Sequence, residues 1–147
     1  GGYMYGPIYI PGKDSVSGNG GDTIFSVKYC RFCDIGGDIT MVSGSTADAS
    51  SPGLTQFTLW EVLDSSMFIL GSVSLTGGDT GEAYLSGERG GGAVTIQITE
   101  TSQVEIAQEL TSTGGSAGSS YKQTSAPGYT TLLVDCSLLR IGGNVDI

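Results

Sequence analysis

The residues in this chain that could do chemistry are few, and they start with Cys30-Arg31-Phe32-Cys33. This CxxC spacing suits a redox pair or half of a zinc site. In a strand, residues three apart point to opposite faces, which separates the two sulfurs unless the strand ends between them. The third cysteine, Cys136, leaves an odd count, and the chain contains no His. A four-ligand zinc site would therefore lack a fourth side chain of the usual type. The bland alternative is that the cysteines are small buried hydrophobes with one exposed thiol. The missing His also removes the usual general base and excludes Ser-His-Asp and Cys-His chemistry. Glu61 with Asp64, and Glu105 with Glu109, are the locally paired carboxylates, and neither pair sits in a catalytic motif. Gly87-Glu88-Arg89-Gly90-Gly91-Gly92 lacks the Lys-Ser/Thr ending of a phosphate loop and reads as a turn. The expectation is a protein that is not an enzyme.

Gly-Gly-Asp/Asn recurs at Gly20-Gly21-Asp22, Gly36-Gly37-Asp38, Gly77-Gly78-Asp79 and Gly142-Gly143-Asn144. In each, Gly can supply a positive φ while the acid or amide caps its own turn before a strand. The segment Ser17-Gly18-Asn19-Gly20-Gly21-Asp22-Thr23-Ile24-Phe25 resembles one unit of the calcium-binding nonapeptide of RTX proteins, apart from Ser17 where Gly is expected. Those repeats bind calcium between stacked neighbours, and no tandem second copy follows. The resemblance nominates Asp22, Asp38 and Asp79, with loop carbonyls, as calcium ligands; no other cofactor is expected.

Six Lys and Arg against fifteen Asp and Glu give a formal net charge of −9. This balance disfavours a phosphate-contacting surface, so no nucleic acid is expected as a partner. No apolar run approaches the ~20 residues of a membrane span, and membrane insertion is not expected. Hydrophobic residues make up 38% and charged residues 14%, a composition that folds. At 147 residues, one domain spanning 1–147 is the expectation, with 1–12 an extended N-terminal arm or an edge strand because Pro7 cannot donate to a ladder.

The elements that must carry these residues show period-2 alternation. It runs through Thr23–Phe32, Ala93–Thr99 and Tyr129–Ile141, the last read as one central strand. Thr55–Leu63 and Met67–Leu75, joined by Asp64-Ser65-Ser66, read as a hairpin apolar on both faces. Asp38–Val42, Glu82–Ser86 and Val104–Leu110 raise the count to roughly eight strands. The last of these competes with a short helix, since Ser102-Gln103-Val104-Glu105 has capping-box spacing, and strand is favoured. The fold expected is all-β: an antiparallel β-sandwich or jelly-roll-like domain with at most one short helix.

Three small-residue loops, Ser43–Gly53, Gly87–Gly92 and Ser112–Gly128, are candidate binding surfaces. Tyr3, Tyr5, Tyr9, Tyr121 and Tyr129, together with Phe57 and Trp60 of the hairpin, are the expected interface residues. In general build such a sandwich resembles the outer or protruding domains of small viral capsid proteins. That resemblance implies a self-assembling virion component, a homo-oligomer that meets a host receptor or glycan through its loops. The alternatives are a subunit of an extracellular filament assembled by strand addition, and a calcium- or carbohydrate-binding module using Trp60 or the loop tyrosines. The virion surface or the extracellular space is the expected location, with the cytoplasm as the alternative.

Overall fold

The computed structural model describes residues 2–4, 6–14, 20–46, 56–82, 90–118 and 126–147. The strands follow one another in successive turns of chain. The first turn holds β1 (Gly2–Met4), β2 (Ile8–Pro11) and β3 (Thr23–Lys28), and the second holds β4 (Cys33–Ile35), β5 (Ile39–Val42) and β6 (Phe57–Leu63). The third contains β7 (Ser66–Ile69), β8 (Val73–Thr76) and β9 (Ala93–Thr99). The fourth contains β10 (Gln103–Ile106), β11 (Leu110–Thr113) and β12 (Thr130–Val134), and a last partial turn adds β13 (Leu138–Ile141) and β14 (Val145–Asp146).

No strand pairs with its neighbour in sequence. Each pairs in parallel with the equivalent strand one turn away, giving three sheets in the orders β1-β4-β7-β10-β13, β14-β11-β8-β5-β2 and β12-β9-β6-β3. The architecture is a parallel β-solenoid, with no helix among the described residues. This corrects the antiparallel sandwich or jelly roll. The likeness to capsid outer domains rested on that sandwich, and the virion reading goes with it.

Alternation produces a solenoid here because the inward residues of each turn stack on their equivalents. Phe25, Trp60, Ile96 and Leu132 form one column, and Val27, Val62, Ile98 and Val134 the next. In the first sheet Met4, Ile35, Ile69, Ile106 and Ile141 are in register, and in the second Ile8, Ile39, Val73, Leu110 and Val145. Parallel pairing needs a crossover of a dozen or more residues; here the rest of each turn supplies it, so no helix is required. In the middle turns these columns are sealed, and Trp60, Ile69, Ile96, Ile98 and Ile106 are fully buried.

Corners divide what the sequence presents as longer strands. Tyr29 (φ 56°), Asp64 (42°), Thr101 (61°) and Cys136 (50°) take the left-handed conformation at the corner between the third and first sheets. The hairpin is therefore corrected to β6, β7 and β8, which bend past Asp64 instead of pairing. Tyr129–Ile141 is β12 and β13 around Cys136, and Val104–Leu110 is split between β10 and β11. Thr23–Phe32 ends as a strand at Lys28, and Glu82–Ser86 falls almost wholly outside the described residues.

Directly after the left-handed residue comes a hydroxyl ladder. The Ser65 Oγ accepts the Cys30 N–H (3.0 Å), Ser102 Oγ accepts the Ser65 N–H (3.2 Å), and Ser137 Oγ accepts the Ser102 N–H (3.1 Å). Each hydroxyl also donates to a carbonyl of its own turn: Leu63, Thr99 and Asp135 at 2.7, 2.6 and 2.8 Å. Sharp corners leave backbone groups without ladder partners, and these serines supply them. On the far side, glycines let turns approach closely: a Cβ on Gly115 would lie 2.0 Å from the carbonyl oxygen of Gly78. β1 and β2 pair with β4 and β5, so residues 2–4 and 8–11 are edge strands of the solenoid, with Pro11 at the outer edge where its missing N–H is tolerated.

Candidate functional site

The three calcium candidates occupy different corners. The Asp22 Oδ1 accepts the Phe57 N–H (3.1 Å), Asp38 Oδ1 accepts that of Ser72 (2.8 Å), and Asp79 Oδ1 accepts that of Ser116 (2.7 Å). Each carboxylate thus bonds the backbone of the following turn. Among the described residues no three His, Cys, Asp or Glu side chains come together in a way that could hold a metal ion.

The aromatic candidates divide similarly. Trp60 is fully buried in a core column, so it offers no stacking platform, while Phe57 is half-buried. Tyr9 and Tyr129 are well exposed. Tyr5 and Tyr121 lie outside the described residues, and Tyr3 is placed only by its backbone, opposite Asp34.

Cys30 and Cys33 form a disulfide with Cα atoms 6.1 Å apart. The reading of small buried hydrophobes is corrected: β3 ends at Lys28 and β4 begins at Cys33, so the chain turns between the two residues and their sulfurs meet. Cys136 is a free, exposed thiol, held up in pKa by a hydrogen bond to the Asp135 carboxylate and by its negative charge. On the third sheet, Lys28 Nζ lies 2.9 Å from Glu61 Oε2, which also accepts a bond from Ser26 Oγ (2.8 Å). The bond to Lys28, then the bond from Ser26, lower the Glu61 pKa.

Two surfaces escape the sequence reading. One is the outward face of the first sheet, where Asp34, Phe68, Glu105 and Arg140 stand in register on successive turns. With Phe32 and Gln103 they line a depression of about 200 Å³. It adjoins a second depression toward the Asp64–Thr101 corner and a third toward the Ala107–Gly142 corner, which makes a continuous shallow trough across the face. Aligning the Ser65, Ser102 and Ser137 segments would have placed Phe68, Glu105 and Arg140 in one column.

The other surface is the pair of end turns. At the first turn Met4 is inward-facing yet 53% exposed, and Ile8, Ile10, Phe25 and Val27 are half-buried. At the last, Leu132, Val134 and Val145 belong to core columns yet are 39%, 38% and 52% exposed. Their counterparts one turn inward, Ile96, Ile98 and Leu110, are completely buried. Among the described residues, the outer edges of the first-turn strands and of β12, β13 and β14 have no strand partner, and such edges template the addition of further strands.

Compared with family models, curated proteins and solved structures, the chain matches none.

Proposed function

We propose that this chain is a non-enzymatic structural protein, a solenoid unit that assembles end to end with copies of itself outside the cell. The observation that carries this reading is that the first and last described turns belong to the same columns as the turns between them. A first turn laid on the last would set Met4 over Ile141 and Ile8 over Val145, continuing the stacking of the first and second sheets, and would leave Phe25 and Val27 one strand spacing short of Leu132 and Val134, because the third sheet has four strands where the others have five. The first and second sheets would extend by parallel pairing. Burying this apolar surface, at ~25 cal/mol per Å², drives association, and the edge hydrogen bonds fix its register.

Such a contact joins different surfaces of each copy, so it does not close a dimer and builds filaments. The Cys30–Cys33 disulfide supports an extracellular setting, where such bonds persist. Sedimentation velocity over a concentration series, with electron microscopy of the same material, tests the reading. Wild-type protein is expected to form rods that lengthen with concentration. Val145→Asp, which places a charge on the last turn while leaving the inner columns intact, is expected to give monomers with unchanged far-UV circular dichroism. A wild-type chain that stays monomeric at the highest attainable concentration, or that assembles only with a different protein, would refute end-to-end self-assembly.

A further inference from the structure

We infer that the trough on the outward face of the first sheet binds a neutral, linear oligosaccharide, with the Cys30–Cys33 disulfide fixing Phe32 as one of its walls. This is independent of end-to-end assembly, because the trough lies on the side of the rod. Four observations converge on this ligand class.

The first is shape. The trough is open and shallow and follows the strands from the Asp64–Thr101 corner to the Ala107–Gly142 corner. Thr101 to Ala107 spans roughly 20 Å at ~3.3 Å per residue, the length of a chain of several rings. The second is the floor. β4, β7 and β10 are each paired on both sides, so over the face they form an extended peptide finds no free edge and recognition must come from side chains.

The third is the chemistry of those side chains. Phe32 and Phe68, 71% and 38% exposed, offer apolar ring faces side by side in the lining. Around them Asp34 and Glu105 accept hydrogen bonds, Arg140 donates, and Gln103 does both. Flat apolar faces bordered by hydroxyl partners of both kinds match a sugar, whose rings have apolar faces and hydroxyl rims. The central lining carries two carboxylates against one guanidinium, and the chain as a whole carries −9, which repels anionic polymers. Among glycans, this leaves the neutral ones.

The fourth is the disulfide. Arg31 and Phe32 are the two residues enclosed between the half-cystines, so the bond holds the Phe32 ring where the central depression meets its neighbour. A preformed wall lowers the ordering cost of binding.

Titration calorimetry with cello-, malto- and chito-hexaose, using hexagalacturonate and hexalysine as charged controls, tests the assignment. At least one neutral hexasaccharide is expected to bind, and Phe32→Ala and Phe68→Ala are each expected to weaken it about tenfold without changing the melting temperature. Cys30→Ser with Cys33→Ser is expected to weaken binding in the wild-type background and to add nothing in the Phe32→Ala background, the signature of a disulfide that acts through Phe32. The inference is overturned if no neutral hexasaccharide binds at millimolar concentration, if binding ignores both phenylalanine substitutions, or if hexalysine or hexagalacturonate binds in preference.

Discussion

At the scale of single residues, the chain uses side-chain acceptors where a solenoid most needs them, at corners where the backbone leaves its ladders. Asp79 illustrates this. Its carboxylate accepts the Ser116 N–H at 2.7 Å, while its own N–H reaches Ser45 Oγ at 3.2 Å. Asp79→Ala should therefore cost about 1–2 kcal/mol in urea-denaturation stability, as the loss of a helix cap does, and millimolar calcium should leave the wild-type melting temperature unchanged. A large calcium-induced rise in melting temperature would return Asp79 to the role of a metal ligand. The free thiol offers a second handle. The Asp135 carboxylate stabilises the protonated form of Cys136, so alkylation by iodoacetamide should rise with pH later than for an ordinary thiol. In Asp135→Asn that dependence should move to lower pH; an unmoved profile would show that the carboxylate does not control the thiol.

At the scale of elements, the alternation was legible in the sequence, and the corners and strand partners were not. Ala93–Thr99 is a strand over the span its alternation marks, while Val104–Leu110, read as one strand in preference to helix, holds parts of β10 and β11 around a bend at Ala107 and Gln108. Alternation reports that one face is buried, but an antiparallel sandwich and a parallel solenoid impose the same period of two. The distinguishing signal is recurrence. Ser65-Ser66-Met67-Phe68-Ile69, Ser102-Gln103-Val104-Glu105-Ile106 and Ser137-Leu138-Leu139-Arg140-Ile141 share one pattern, and their serines are joined at separations of 37 and 35 residues. The unequal spacings, and the cystine loop that replaces Ser in the second turn, obscure the repeat. The candidate site was hidden for the same reason, since Asp34, Phe68, Glu105 and Arg140 become neighbours only once turns are stacked. The serine column itself makes a graded expectation. Ser102 is fully buried, so Ser102→Ala should destabilise by about 1–3 kcal/mol by stranding the Ser65 N–H. Ser137 is half-buried on the last turn, where water can replace its hydroxyl, and Ser137→Ala should cost less. Equal losses at the two positions in chemical denaturation would argue against the ladder as the source of corner stability.

At the scale of the whole molecule, stability and assembly are the same physics. Each turn buries its inward face only when another turn covers it, as expected of a repeat architecture built from nearest-neighbour contacts. The middle turns are covered on both sides, and Trp60, Ile69, Ile96 and Ile106 are sealed; in the first and last described turns Met4, Leu132 and Val145 are partly exposed. In the proposed assembly a second copy would cover these turns and leave the side face carrying the trough clear of the junction. The most direct test of this account is fibre diffraction from aligned assemblies of the protein. Stacking through the end turns places the ~4.8 Å spacing between strands along the filament axis, and a meridional reflection at that spacing is the expected result. The same reflection on the equator would mean that the solenoids lie side by side across the filament, contradicting assembly through their ends.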